Sequence, residues 1–379
     1  MTVSTSRGPA RLIYLDWNAT TPPHPEVIEA IRGALGQAWA NPASVHGPGR
    51  RARAHVEEAR EAVAALTGFD PRDVILTSGG TEANNLGLAL AEGGALVVSR
   101  IEHPSVLRAA EQLAGRGVVV EWAEPEASGR VEAGALAEAC ARAGRRAPVR
   151  IVALQAVNHE TGVIQPVREA AEVAHACGAR LHVDAVQAVG KLDPSAWAGA
   201  DLVAVAAHKI QGPKGVGALA TRPGIKLRPV LVGGAQERGV RPGTQDPAAC
   251  AGFAVAALRA REAPASHAAL AALRDRLEAE LLGRGAVRNG EAPRVPHVSN
   301  LSWPGWRGDE LCAALDLEGV AVSSGSACSA GTAEPSPVLT AMVGIARAGS
   351  AVRVSMGQET TAEDLDEAVQ RWARVLARR

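Results

Sequence analysis

The middle of the chain alternates short β-branched runs with alanine- and glutamate-rich stretches, and that alternation restricts the fold more than any other feature. The runs occupy residues 73–77, 95–99, 117–122, 149–157, 180–186, 201–206 and 215–220. Between several of them, residues 105–116, 132–145 and 167–177 carry apolar side chains at helical spacing. Parallel strands need a crossover, normally a helix, so this pattern predicts an α/β fold. A mostly parallel sheet of seven strands with helices on both faces is expected. Ligands of such sheets bind beyond the carboxyl ends of the strands, where the loops gather.

The pattern changes after about residue 255. Helices are predicted over 247–261 and 266–283, then a strand at 297–303, a helix at 308–317 and a strand at 320–324. A strand at 351–355 and a last helix over 361–377 follow, the helix opened by the capping-box spacing Thr360-x-x-Glu363. This reads as a smaller α+β domain. With 379 residues the chain has the length of about two domains. We place the large one at 17–258 and the small one at 1–16 with 259–379.

Charge and cysteine usage exclude several classes. Forty Lys and Arg balance forty Asp and Glu, which argues against a nucleic-acid partner, since such affinity comes from neutralising phosphates. No apolar run approaches the roughly 20 residues of a membrane span, and the first ten residues lack a secretory h-region. Cys140, Cys177, Cys250, Cys312 and Cys328 are scattered, without C-x-x-C spacing. That excludes a disulfide scaffold or a zinc finger and predicts a cytoplasmic chain without a bound metal. Only four of the 40 basic residues are lysines, namely Lys191, Lys209, Lys214 and Lys226. A lysine amine can lose its proton and attack a carbonyl, as a guanidinium cannot.

Five loops carry chemistry. Ser78-Gly79-Gly80-Thr81-Glu82 follows a strand and opens a helix, so its glycines, amides and hydroxyl can meet an anion. Asp184 ends a hydrophobic strand, where a buried carboxylate needs a cationic partner. His208 and Lys209 follow the next strand, with a glycine-rich turn behind them. Together these groups can hold pyridoxal phosphate: Lys209 on the aldehyde, Asp184 on the ring nitrogen, the Gly80-Thr81 turn on the phosphate. His103, just past another strand end, is placed to stack on the ring. The last loop, Ser323-Ser324-Gly325-Ser326-Ala327-Cys328-Ser329-Ala330-Gly331, surrounds one thiol with small residues and suits a travelling nucleophile. Cys140, Cys177, Cys250 and Cys312 instead read as buried small hydrophobes.

These residues resemble the cysteine desulfurases of the class V aminotransferase family, of the NifS/IscS type. The resemblance begins with Tyr14-Leu15-Asp16-Trp17-Asn18-Ala19-Thr20-Thr21-Pro22 and Asn41-Pro42-Ala43-Ser44-Val45-His46. It continues through Thr81-Glu82, Glu102-His103, Asn158-His159-Glu160-Thr161-Gly162, His182-Val183-Asp184 and His208-Lys209. Arg241-Pro242-Gly243-Thr244, the Cys328 loop and Arg353-Val354-Ser355-Met356-Gly357 complete it. It implies fold type I of the pyridoxal-phosphate-dependent transferases, and catalysis by Lys209, His103 and Cys328. Gly80, Thr81, Asn158, Asp184, Gln187, His208 and Lys209 would hold the cofactor, joined by Thr244 from the other subunit of a homodimer. Asn41, Asn158 and Arg353 would bind the carboxylate of L-cysteine. The products would be alanine and a Cys328 persulfide, passed to a protein acceptor such as an iron–sulfur scaffold. Transient contact of Cys328 with an iron–sulfur cluster stays open, as do two other readings. One is a selenocysteine lyase or another class V enzyme using the same lysine; the other is a non-catalytic sulfur-carrier scaffold. The sequence departs from the family at Ala206, where a phosphate-binding serine is usual, and at His159, where the family has a second asparagine.

Overall fold

A computed structural model describes residues 11–325 and 334–378. Its main sheet has seven strands, ordered Val74–Thr77, Gly217–Thr221, Leu202–Ala206, Arg180–Asp184, Val149–Ala153, Ala95–Ser99 and Val119–Ala123. Only Gly217–Thr221 runs antiparallel to its neighbours; the remaining pairs are parallel.

Strand alternation divides the interior in two. Val74, Leu76, Val97, Val152, Val203 and Val205 join one core with the helices Gly47–Thr67, Ala133–Gly144, Val167–Ala176 and Pro247–Glu262. Their neighbours Ile75, Leu96, Val98, Ile151 and Leu202 face the other way, onto Gly80–Leu88 and Pro104–Gly115. Both faces of the sheet are therefore buried, which is why its strands read as unbroken apolar runs.

A third core gathers the C-terminal part of the chain. Leu277, Leu301, Leu311, Val352, Val354 and Trp372 pack there with Ile13 and Leu15. Ile13–Tyr14 pairs in parallel with Val320–Ala321, while Val298–Ser302 lies between Ala351–Ser355 and Val287–Arg288. The two ends of the chain also meet at Gly357, where a Cβ would come within 2.2 Å of the Trp17 indole.

Several expected boundaries shift. The strand expected over 149–157 is regular only to Ala153, although the Leu154 and Ala156 amides still donate to the His182 and Asp184 carbonyls of the next strand. The strand expected over 320–324 is the two-residue Val320–Ala321, followed by an isolated bridge from Ser323 to Arg353. The helix expected over 266–283 is two, Pro264–Ala268 and Leu270–Leu282. The capping box of the last helix is formed by Thr361 and Asp364. Thr360 instead accepts a hydrogen bond from the Gly357 amide at 3.0 Å. Helices Pro25–Gln37, Gly47–Thr67 and Pro337–Val343 were not foreseen from periodicity. Among the described residues no helix is long and apolar enough to cross a membrane.

Candidate active site

The carboxyl ends of the parallel strands converge on a cavity of about 190 Å³. It is lined by Gly80, Thr81, His103, Asp184, Gln187, His208, Lys209 and Arg353, together with Asn18, Asn84, Gln155, His159 and Ala206. One rim is the turn after Val74–Thr77. Gly79 adopts φ +153°, and a Cβ at Gly80 would meet Val186 Cγ2 at 2.9 Å and Ala206 Cβ at 3.6 Å. Even a methyl at 80 would press on Val186, so glycine is what lets the turn pack this closely at the cavity rim. The helix Gly80–Leu88 starts here without a side-chain cap, so its first amides are left for a ligand.

Asp184 ends its strand at the cavity wall. Its Oδ1 accepts from the Val186 amide at 3.0 Å and its Oδ2 from Asn84 Nδ2 at 2.8 Å. Burial pushes its carboxyl above the usual range, against these hydrogen bonds and the His159 and Lys209 charges. A cationic nitrogen facing it would reverse that effect. Asn84 also accepts from His182 Nε2 at 2.9 Å and donates to Ser105 Oγ at 2.9 Å.

His103 caps the helix Pro104–Gly115, its Nδ1 accepting from the Ser105 amide at 3.1 Å. Burial, followed by the charges of His159, Lys209 and His208, pushes it down to about 3. It therefore stands as a neutral imidazole, with the His159 ring edge-on at 5.2 Å. His208 is lowered to about 4, again mainly by burial, and its Nδ1 lies 3.2 Å from Thr20 Oγ1. Lys209 sits in the 3₁₀ turn Ala207–Lys209, where its amine donates to the carbonyls of Asn18 and Ala19. Gln187 donates to the same Asn18 carbonyl at 3.0 Å.

Arg353 comes from the small sheet and is 2 % exposed. It donates to Asp16 Oδ1 at 2.6 Å and to the His159 carbonyl at 3.2 Å. Cys328 lies outside the described residues, but both flanks of its segment are anchored beside the cavity. Ser323 and Arg353 exchange backbone hydrogen bonds of 3.2 and 2.6 Å, and Ser336 Oγ donates to Glu160 Oε1 at 2.8 Å.

Three expected residues do not line this cavity. The Asn158 Oδ1 accepts from the Glu160 and Thr161 amides, and its Nδ2 donates to the Ile101 carbonyl, so the side chain braces the turn behind the wall. Asn41 is exposed, with its Oδ1 accepting from the Ala43 amide. Thr244 is also exposed, on the loop that Arg241 ties to Glu82 at 2.9 Å. Of the cysteines read as buried hydrophobes, Cys140 and Cys250 are buried, whereas Cys177 is exposed at its helix end and Cys312 is intermediate. Asn84, Ser105 and Gln155 were missed, although Asn84 stands one helical turn beyond Thr81 and Gln155 two residues past a strand end.

A lysine, a buried acid, a neutral imidazole and a glycine turn at the strand ends of a doubly wound sheet define a pyridoxal-phosphate type of site. The chemistry of this donor set, gathered around one cavity, fits that cofactor. The Aminotransferase class-V family model matches residues 13–368, and the chain belongs to that family. It is 39% identical to a cysteine desulfurase of Bradyrhizobium diazoefficiens, covering 97% of this chain and 94% of that protein. It is 38% identical to the cysteine desulfurase IscS of Dictyoglomus turgidum, covering 94% and 92%. Among solved structures, a NifS-like protein superposes with a TM-score of 0.88 at 30% identity, over 97% of this chain and 100% of that one. A structure titled SspA in complex with cysteine gives 0.78 at 30% identity, over 92% and 99%.

Proposed function

We infer that the protein is a pyridoxal-phosphate-dependent cysteine desulfurase that converts L-cysteine to L-alanine and leaves the sulfur as a persulfide on Cys328. The observation that carries this reading is the single cavity shared by Lys209, Asp184, His103, Gly80 and Arg353, with both flanks of the Cys328 segment bonded at its edge. Family membership supports it.

When bound, the cofactor supplies an electron sink for the pair left at the substrate's α-carbon. Lys209 holds its aldehyde carbon and later moves a proton; Asp184 pairs with its ring nitrogen. Gly80, Thr81 and His208 hold its phosphate, with Thr244 reaching in from the partner of a homodimer. His103 covers the ring, and its neutral imidazole can take a proton. Gln187 faces the phenolic side, with Asn158 bracing the wall. Arg353 pairs with the substrate carboxylate, joined by Asn41 when substrate is bound. The Cys328 thiolate then attacks the substrate sulfur: an S–S bond forms, the Cβ–S bond breaks, and Cβ takes a proton to become the methyl of alanine. The persulfide passes to a protein acceptor, for which an iron–sulfur scaffold is our choice. The division into domains at 17–258 and at 1–16 with 259–379 puts Arg353 and Cys328 on the body opposite the cofactor. Trp39, Val45 and Val232, all exposed, favour the homodimer. The scattered cysteines, without disulfide spacing, favour a cytoplasmic enzyme.

Two variants test the reading. Lys209→Ala should abolish both the visible absorbance of lysine-bound cofactor and turnover. Cys328→Ser should keep that absorbance and still bind L-cysteine, yet release no sulfide. Sulfide formed by Cys328→Ser at the parent rate would rule out the mobile nucleophile.

A further inference from the structure

Behind the cofactor cavity lies a second one of about 220 Å³, lined by Lys191, His267, His297 and Met356, and sharing Asn18 and Lys209 with the first. Lys191 is 5 % exposed. No acidic side chain among the described residues pairs with it; its ammonium donates to Gln187 Oε1 at 2.7 Å. Burial, then the charges of Lys209 and Arg353, push it down to about 7. A lone buried ammonium is costly, so its placement calls for a reason other than stability.

The geometry of Gln187 supplies one. While protonated, as it is below about pH 7, Lys191 has donors only, so it fixes the amide with its oxygen toward Lys191 and its nitrogen forward. That nitrogen donates to the Asn18 carbonyl at 3.0 Å, the same carbonyl on which the Lys209 amine rests. Turned over, the amide would set Oε1 against the Asn18 oxygen, acceptor against acceptor. The turned amide would also offer an acceptor, in place of a donor, to any anionic oxygen in the cofactor cavity.

We propose that Lys191 is a positioning residue that locks the Gln187 amide, and through it the Asn18 carbonyl, in the orientation the cofactor and Lys209 require. The proposal rests on the pyridoxal phosphate reading of the first cavity. It is tested with the apo forms of the parent protein, Lys191→Met, Gln187→Leu and the double variant. Each is titrated with pyridoxal 5′-phosphate at the visible band and unfolded in urea without cofactor. Lys191→Met should weaken cofactor binding by about tenfold, the worth of one hydrogen bond to a charged group. In the Gln187→Leu background the same change should alter the constant less than about twofold, since the residue through which Lys191 acts is gone. Apo stability should hold in Lys191→Met, because relief of the buried charge offsets the Gln187 Oε1 left without its donor. A tenfold loss that persists in the Gln187→Leu background overturns the proposal, as does a Lys191→Met protein that is less stable or fails to fold. A parent protein that binds no pyridoxal phosphate overturns the functional reading instead.

Discussion

Arg353 divides its guanidinium between Asp16 Oδ1 at 2.6 Å and the His159 carbonyl at 3.2 Å, and its Nε has no partner among the described residues. The fork thus keeps a donor available while two others hold it in place. Lysine at this position would carry the charge but only one nitrogen, which cannot serve Asp16, the carbonyl and a substrate carboxylate together. We expect Arg353→Lys to raise the KM for L-cysteine by about ten- to a hundredfold, with kcat within about threefold. Steady-state sulfide release measures both. A fall in kcat at unchanged KM would remove Arg353 from carboxylate binding.

Asn84 is the hub of the polar wall. It donates to Asp184 and Ser105 and accepts from His182. Leucine has the same bulk but leaves these groups buried without their partner. Asn84→Leu should cost about 2–4 kcal/mol in urea unfolding and also weaken cofactor binding, because Asp184 loses a donor that favours its charged form. An apo stability within about 0.5 kcal/mol of the parent would mean that water replaces the amide.

What the sequence made legible follows from local physics. The strands could be placed because both faces of the sheet are buried, and the loops because strand ends collect glycine, histidine and acid. Lys209, Asp184 and the Gly80 turn were found in that way. Asn84 was not, and Lys191 stood out only as one of four lysines, since their meaning lies in contacts set by topology: Asn84 meets Asp184 across a separation of 100 residues. Lys191 follows Gln187 by one helical-type turn, a spacing that gives no hint of burial. Asn158 was singled out by its motif, yet its side chain spends its hydrogen bonds on the next turn. The residue type was legible; the direction of the side chain was not.

Acidification should destabilise the apo protein. Burial lowers His182 to about 4 and His103 to about 3, and also holds down His267 and His297. In the unfolded chain these imidazoles titrate near 6.5. Between about pH 6.5 and 4 the unfolded state therefore binds more protons, and stability is lost as pH falls. Glu102, raised to about 8 by burial, and Asp184, also raised, act in the opposite sense. His208, lowered to about 4, joins the first set, so they are two groups against five. Urea unfolding should show a loss of about 2–4 kcal/mol from pH 6.5 to 5. A flat or rising profile over that interval would contradict the buried neutral imidazoles.

The departure at Ala206 now has a geometric setting. Its Cβ lines the cavity at the end of the strand Leu202–Ala206, under the turn where a Cβ on Gly80 would approach it to 3.6 Å. A serine there would place a hydroxyl beside the first amides of the helix Gly80–Leu88, within the region assigned to the phosphate. Alanine occupies the same space and donates nothing. A hydrogen bond to a charged group is worth roughly 1.5–3 kcal/mol, or about one to two decades of affinity. Ala206→Ser should therefore tighten pyridoxal phosphate binding by about tenfold or more and leave the products unchanged. Because residue 206 is 1 % exposed, the added oxygen must find a partner, and the Gly80 turn lies beside it. The measurement is the dissociation constant of both forms, from apo protein titrated at the visible band. Equal constants within about twofold would mean that Thr81, His208 and the helix amides already satisfy the phosphate.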